Sequence, residues 1–295
     1  MSKQMILNIF DVEHGACAML TSYQAGISGR LAMIDSGDNG TTGWRPSSHI
    51  RNQLGRTQLD YLIVTNADQD HLGDLEGLWE EGIYVATLHR NNGVSPDALR
   101  TIKLENGDLT ADIERFLAIH ASYTHPVSFP FDEYMDGIAI RAFGNSYPEF
   151  ADTNNLSLVV FIKFSDFKIL FPGDMERAGW LKLLQQPAFR DELVGTNILV
   201  ASHHGRENGY CEEIFEYFKP DAVVISDKPI AHETQLMVPD YRRVIRPNSV
   251  IVSTTGARRH VLTTRRDGNI TFVVNELGGY DIYTEVGNGN LAQAA

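Results

Sequence analysis

Apolar positions fall in short runs or alternate with polar ones at 5–10, 17–21, 31–34 and 62–64, the patterns of half-buried and fully buried β-strands. From 72 to 79 the spacing becomes helical. After a polar middle, strand-like runs resume at 138–142, 156–164, 168–171, 198–201, 222–225, 249–253 and 270–274, with helical spacing at 177–184 and 212–218. Two further helical patterns, 95–102 and 108–120, lie in the middle region. Strands alternating with helices predict an α/β fold whose apolar strands are covered on both faces. No linker or low-complexity tract separates the two series, so 1–286 read as one domain and the aperiodic 287–295 as a disordered tail.

Composition narrows this picture without redirecting it. With 43% hydrophobic and 21% charged residues in 295, the chain has the balance of a packed globular protein, which excludes wholesale disorder and fibrous classes. The 25 basic residues against 38 acidic ones give a net charge of −13, which opposes general coating of nucleic acid. Two cysteines, Cys17 and Cys211, are too few for a disulfide framework, and the N-terminus reads directly into a strand with no leader. A cytoplasmic protein is expected. No apolar run approaches the ~20 residues of a membrane-spanning helix, so no membrane association is expected, and no feature indicates a protein partner.

The chemistry gathers where strands end. The run Leu62-Ile-Val-Thr-Asn-Ala-Asp-Gln-Asp-His71 delivers Asp68, Asp70 and His71 directly after an apolar strand. Carboxylates this close repel one another unless a cation lies among them, and divalent metals accept that oxygen and nitrogen set. A helix N-cap is the ordinary alternative for such aspartates. Lys168-Ile-Leu-Phe-Pro-Gly-Asp174 brings another carboxylate to a strand end, where a Gly-Asp turn is the plain alternative. Asn197-Ile-Leu-Val-Ala-Ser-His-His-Gly205 brings two adjacent histidines, of which one can face a site while the other packs or orients it. Three such clusters, each at a strand end, are more specific than any one, because open α/β sheets keep their sites outside the carboxyl ends of their strands.

These residues resemble the metallo-β-lactamase superfamily, whose Thr-His-x-His-x-Asp-His motif corresponds here to Thr65-Asn-Ala-Asp-Gln-Asp-His71. The pattern is most similar to the hydrolase-like domain of the ComEC/Rec2 DNA-uptake group, in which aspartate stands at the position of Asp68. Phe10-Asp-Val-Glu-His-Gly-Ala-Cys17, Met33-Ile-Asp-Ser-Gly37, Asn154-Asn-Leu-Ser-Leu-Val159, Phe171-Pro-Gly-Asp-Met-Glu176, Ala201-Ser-His-His-Gly205 and Thr264-Arg-Arg-Asp-Gly268 follow in that group's order. The resemblance implies a four-layer αβ/βα sandwich with metals at one rim. It implies one ion, zinc, held by Asp70, His71, Asp174 and His203. It implies a second, manganese or magnesium, held by Asn66, Asp68 and Asn154 or Asn155, with Asp174 as bridge. Asn66 departs from the family, which has histidine there, so a single-metal site or the loss of the second ion is also open. His14, where the group has glutamine, is read as decorating a turn.

The activity implied is hydrolysis by a metal-bound hydroxide, with Asp70 orienting the attack and His204 or His232 assisting the leaving group. A phosphodiester, in a nucleic acid or a small molecule, is the expected substrate. Arginines 242, 243, 246, 258, 259, 265 and 266 could guide a phosphate, or simply be solvated. The alternatives are hydrolysis of a lactone or β-lactam, and a degenerate binding or regulatory module of the same fold. The segment 88–150 carries no readable motif.

Overall fold

A computed structural model describes residues 3–105, 107–127, 135–230 and 232–286; the expected tail at 287–295 lies outside them. Fifteen strands form among these residues. In chain order they are β1 (Lys3–Ile9), β2 (Ala18–Gln24), β3 (Ile27–Ile34), β4 (Gln58–Ile63), β5 (Tyr84–His89), β6 (Ile138–Gly144), β7 (Leu158–Phe164) and β8 (Phe167–Phe171). There follow β9 (Ile198–Val200), β10 (Ala222–Ile225), β11 (Val250–Ile251), β12 (Arg258–Arg259), β13 (Val261–Thr263), β14 (Ile270–Asn275) and β15 (Tyr280–Thr284). One sheet runs β15-β14-β1-β2-β3-β4-β5, a second β13-β10-β9-β8-β7-β6, and β11 and β12 make a small ribbon.

The period-two alternation of the strands builds the layers. Met5, Leu7 and Ile9 of β1 and Ala32 and Ile34 of β3 face Leu158, Val160 and Ile162 of β7 in one core between the sheets. Leu31 and Met33, on the opposite face of β3, pack against Leu99 and Ile102 of the helix Pro96–Leu104 and Phe116 of the helix Ala111–Ser122. Val159 and Phe161, on the opposite face of β7, pack against Trp180 and Phe189 of the helices Arg177–Leu183 and Pro187–Leu193. Helices therefore cover the outer face of each sheet, giving the four-layer αβ/βα order expected. Among the described residues no helix is long and apolar enough to cross a membrane.

Strand direction then fixes where the loops open. β3, β4 and β5 are mutually parallel, as are β8, β9, β10 and β13. The segments that carry Asp35, Asp70, Asp174, His204 and Asp227 follow the carboxyl ends of β3, β4, β8, β9 and β10. Some expected elements differ. The helical spacing at 72–79 resolves into two helices, Gln69–Leu72 and Leu75–Glu80, and 212–218 forms a 3-10 turn at Glu212–Glu216. Strands β5, β12, β13 and β15 were not expected from the pattern.

Candidate metal centre

Asp70, His71, Asp174 and His204 converge so that one ligand atom of each lies within 4.8 Å of the others. His71 Nε2 is 3.1 Å from Asp174 Oδ1, and His204 Nε2 is 3.1 Å from Asp70 Oδ2 and 3.5 Å from Asp174 Oδ1. Four donors bound tetrahedrally at zinc distances lie about 3.3 Å apart. The buried His204 Nε2 has no hydrogen-bond partner of acceptable geometry, although both carboxylates are beside it. An imidazole nitrogen buried between two carboxylates, beside a second imidazole, is a donor set that fits a divalent ion of zinc type.

The far nitrogen of each imidazole is held by the chain. His71 Nδ1 lies 2.9 Å from Asp35 Oδ2, and Asp35 also accepts hydrogen bonds from the Thr65 backbone and hydroxyl. His204 Nδ1 lies 3.0 Å from the Ser226 carbonyl, an acceptor only, so its proton belongs there and the lone pair of Nε2 faces the centre. Asp35, His203 and His204 all have positive φ (56°, 51° and 53°), a conformation costly for residues with a Cβ and concentrated at functional sites. The Asp70 carbonyl is pinned by the Ala16 amide at 3.2 Å, and Gly15 and Gly37 pack so tightly on it that an added Cβ would approach to 2.5 and 2.6 Å.

The electrostatics follow from burial against mutual attraction. Burial opposes charge on all four groups. Even so, Asp174 and Asp35 hold His71 well above the ordinary histidine range, and Asp174 and Asp70 raise His204. The same imidazoles push Asp70 and Asp174 below the ordinary carboxylate range.

The grouping differs from two expectations: His203, expected as the ligand, lies outside the four-donor group, its buried Nδ1 3.6 Å from Glu176 Oε1 and without a hydrogen-bond partner, while His204, expected as the acid, lies within it. Strand alternation does not extend to this pair, because both residues lie past β9 in left-handed backbone. His232, the other expected acid, is exposed and caps a short turn, its backbone amide donating to Gln235 Oε1 at 2.9 Å. Four of the arginines singled out above pair with their own carboxylates: Arg243 with Asp240, Arg246 with Asp221, Arg259 with Asp267 and Arg265 with Asp227.

Asn66, Asp68 and Asn154 lie together, but their oxygens are already engaged. Lys103 Nζ is 2.5 Å from Asp68 Oδ1, and Thr153 Oγ1 is 3.0 and 2.9 Å from the two Asp68 oxygens. Asn66 Oδ1 accepts from the Asp68 backbone amide at 3.1 Å, and Asn154 Oδ1 accepts from Asn66 Nδ2 at 3.3 Å. Asn155 is also engaged, its Oδ1 accepting from the Gly179 amide at 2.8 Å. This set does not fit a second ion.

Sequence reasoning missed His14. Its Nε2 is 3.7 Å from Asp70 Oδ2, its ring centroid is 4.2 Å from that of His204, and its Nδ1 is 3.1 Å from Asp227 Oδ1. Arg206 Nη2 is 3.1 Å from His14 Nε2. Burial favours a neutral Asp227, but the hydrogen bonds from His14 and Gln235 hold it below the ordinary carboxylate range. The signal available was the Glu13-His14 departure from the family's opening motif, read as turn decoration.

A four-layer αβ/βα sandwich with carboxylates and imidazoles converging at the carboxyl ends of its strands defines an α/β protein with a candidate metal centre, in the arrangement that the sequence resemblance implied. The chain is 26% identical over 173 residues to ComE operon protein 3 of Bacillus subtilis (strain 168). That match covers 58% of this chain and 20% of the relative, so the chain spans about a fifth of the length of the curated relative it matches. Among solved structures it is similar to the metallo-β-lactamase fold protein YhfI from Bacillus subtilis, with a TM-score of 0.49 and 10% identity over 92% of this chain and 99% of that one. A diphosphatase of the PhnP family gives a TM-score of 0.42 and 13% identity, over 92% and 99%. No family model matches the chain.

Proposed function

We propose that this chain is a hydrolase that works with a divalent metal at Asp70, His71, Asp174 and His204 and cleaves a phosphodiester. The observation that carries the reading is the convergence of these four donors, two carboxylates and two imidazoles, each with a ligand atom within 4.8 Å of the others. When bound, a divalent ion supplies a Lewis acid for the oxygen under attack and lowers the pKa of water in the site. The chain's own part is positional. Asp35 and the Ser226 carbonyl hold the two imidazoles in one tautomer and one orientation.

Beyond the four donors, Asp227 accepts the Nδ1 proton of His14 and Arg206 donates to its Nε2, so the imidazole beside Asp70 is held as a base that can take a proton from the attacking water. Arg206, beside His14, supplies a guanidinium for a phosphoryl oxygen, which supports a phosphodiester over a neutral lactone or β-lactam. The net charge of −13 favours a short or single phosphodiester over a long duplex.

The test is hydrolysis of bis(p-nitrophenyl) phosphate by the purified chain under Mn²⁺, Zn²⁺ or Mg²⁺. Turnover is expected with at least one ion and is expected to vanish in Asp70→Ala. His14→Gln is expected to lower kcat by about 10²-fold with unchanged metal content. Turnover of a lactone or β-lactam without any of the phosphodiester would overturn the substrate class.

A further inference from the structure

We infer that the Lys103 ammonium is the resident cation of the Asn66–Asp68 pocket, so that this chain holds one divalent ion and not two. The inference concerns the neighbour of the centre proposed above and depends on that centre's position, not on its hydrolytic activity.

Lys103 stands in the last turn of the helix Pro96–Leu104, and only 10% of its side chain is exposed. A buried ammonium is costly unless its charge is matched and its protons are used. Here the match is Asp68, whose Oδ1 lies 2.5 Å from Nζ. Thr153 Oγ1 stands 3.0 and 2.9 Å from the two oxygens of the same carboxylate. Asp68 is thus satisfied without a metal.

The neutral members are also satisfied. Asn66 accepts from the Asp68 amide with its oxygen and donates one amide proton to Asn154, whose own Nδ2 donates to Glu176 Oε1 at 3.1 Å. A hard divalent ion needs several free oxygens and returns little for two amides and one carboxylate already bound to an ammonium. Admitting an ion would require expelling Lys103 or burying two cations side by side. By contrast, Asp70, His71, Asp174 and His204 bring two imidazole nitrogens among their carboxylates, and among the described residues neither carboxylate is ion-paired to a lysine or arginine. The two halves of the site therefore differ in kind: one is built for a metal, the other is already neutralised by a side chain.

The experiment counts ions per chain by native mass spectrometry on the full chain, loaded with Zn²⁺ or Mn²⁺ and desalted. The parent is expected to hold one ion. Asn66→His, which restores a metal-binding side chain but leaves Lys103 in place, is expected to hold the parent's number. The double variant Asn66→His with Lys103→Ala is expected to gain one.

A parent with two ions, a gain in Asn66→His alone, or no gain in the double variant overturns the inference. The first two of these outcomes do not depend on the double variant folding. The readout is a difference in ion count and is independent of turnover. A chain that holds one ion and cleaves nothing refutes the hydrolase reading alone, and an active chain with two ions refutes only this inference.

Discussion

At the scale of single residues, the imidazoles of the centre compete between protons and metal. His71 lies well above the ordinary histidine value of 6.5 and His204 above it, because Asp174, Asp35 and Asp70 favour their charged forms. A group whose pKa is raised keeps its proton to higher pH, and a metal ligand must lose it. Metal binding near neutral pH is therefore expected to release protons, and affinity should fall as pH drops through the raised values. Calorimetric titration with Zn²⁺ in buffers of different ionisation enthalpy measures the release; binding without proton release would contradict it. Asp70, His71 and Asp174 were legible because polar clusters recur directly after several apolar strands, a coincidence that an N-cap or a Gly-Asp turn explains only one cluster at a time. His204 was indistinguishable from His203 because its orientation comes from two consecutive left-handed residues, which no alternation rule reports. Lys103 was not readable at all: a lysine in the last turn of a helix is ordinary, and only the tertiary fold brings it to Asp68.

Elements place these residues through the loops that follow β3, β4, β8, β9 and β10, and through tight backbone packing around Asp70. Gly37 shows the constraint, since an added Cβ would lie 2.6 Å from the Asp70 carbonyl oxygen and 2.9 Å from that of Ala16. Gly37→Ala is expected to destabilise the chain by about 1–3 kcal/mol and to lower metal occupancy, because Asp70 must move. Gly40→Ala serves as the control, its added Cβ meeting nothing within 4 Å. Thermal unfolding and metal content of the two variants check this; equal behaviour would contradict it. The strands most visible in sequence were the apolar ones, such as β7 and β8. β15 was missed because Tyr280-Asp-Ile-Tyr-Thr284 is short and mixes an exposed aspartate among its aromatic residues. β13 was missed because it has only three residues, and their burial comes from tertiary packing.

At the scale of the whole molecule, both sheets open their loops onto one rim, and residues far apart in sequence meet there: His14 with Asp227, Asp35 with His71, and Asp174 with His204. The four-layer order was legible through the resemblance and follows physically from strands that are apolar on both faces. The balance of charge at the rim was not, because composition records −13 for the chain while the structure sets Arg206, Arg265 and Lys103 against particular carboxylates and His14. The central claim is that the metal is held by His204 together with Asp70, His71 and Asp174, with His203 outside. Metal content of His204→Ala and His203→Ala, measured on folded protein after equal loading with Zn²⁺, tests it most directly. Loss of the ion in His204→Ala with retention in His203→Ala is the predicted result; retention in His204→Ala with loss in His203→Ala would contradict it.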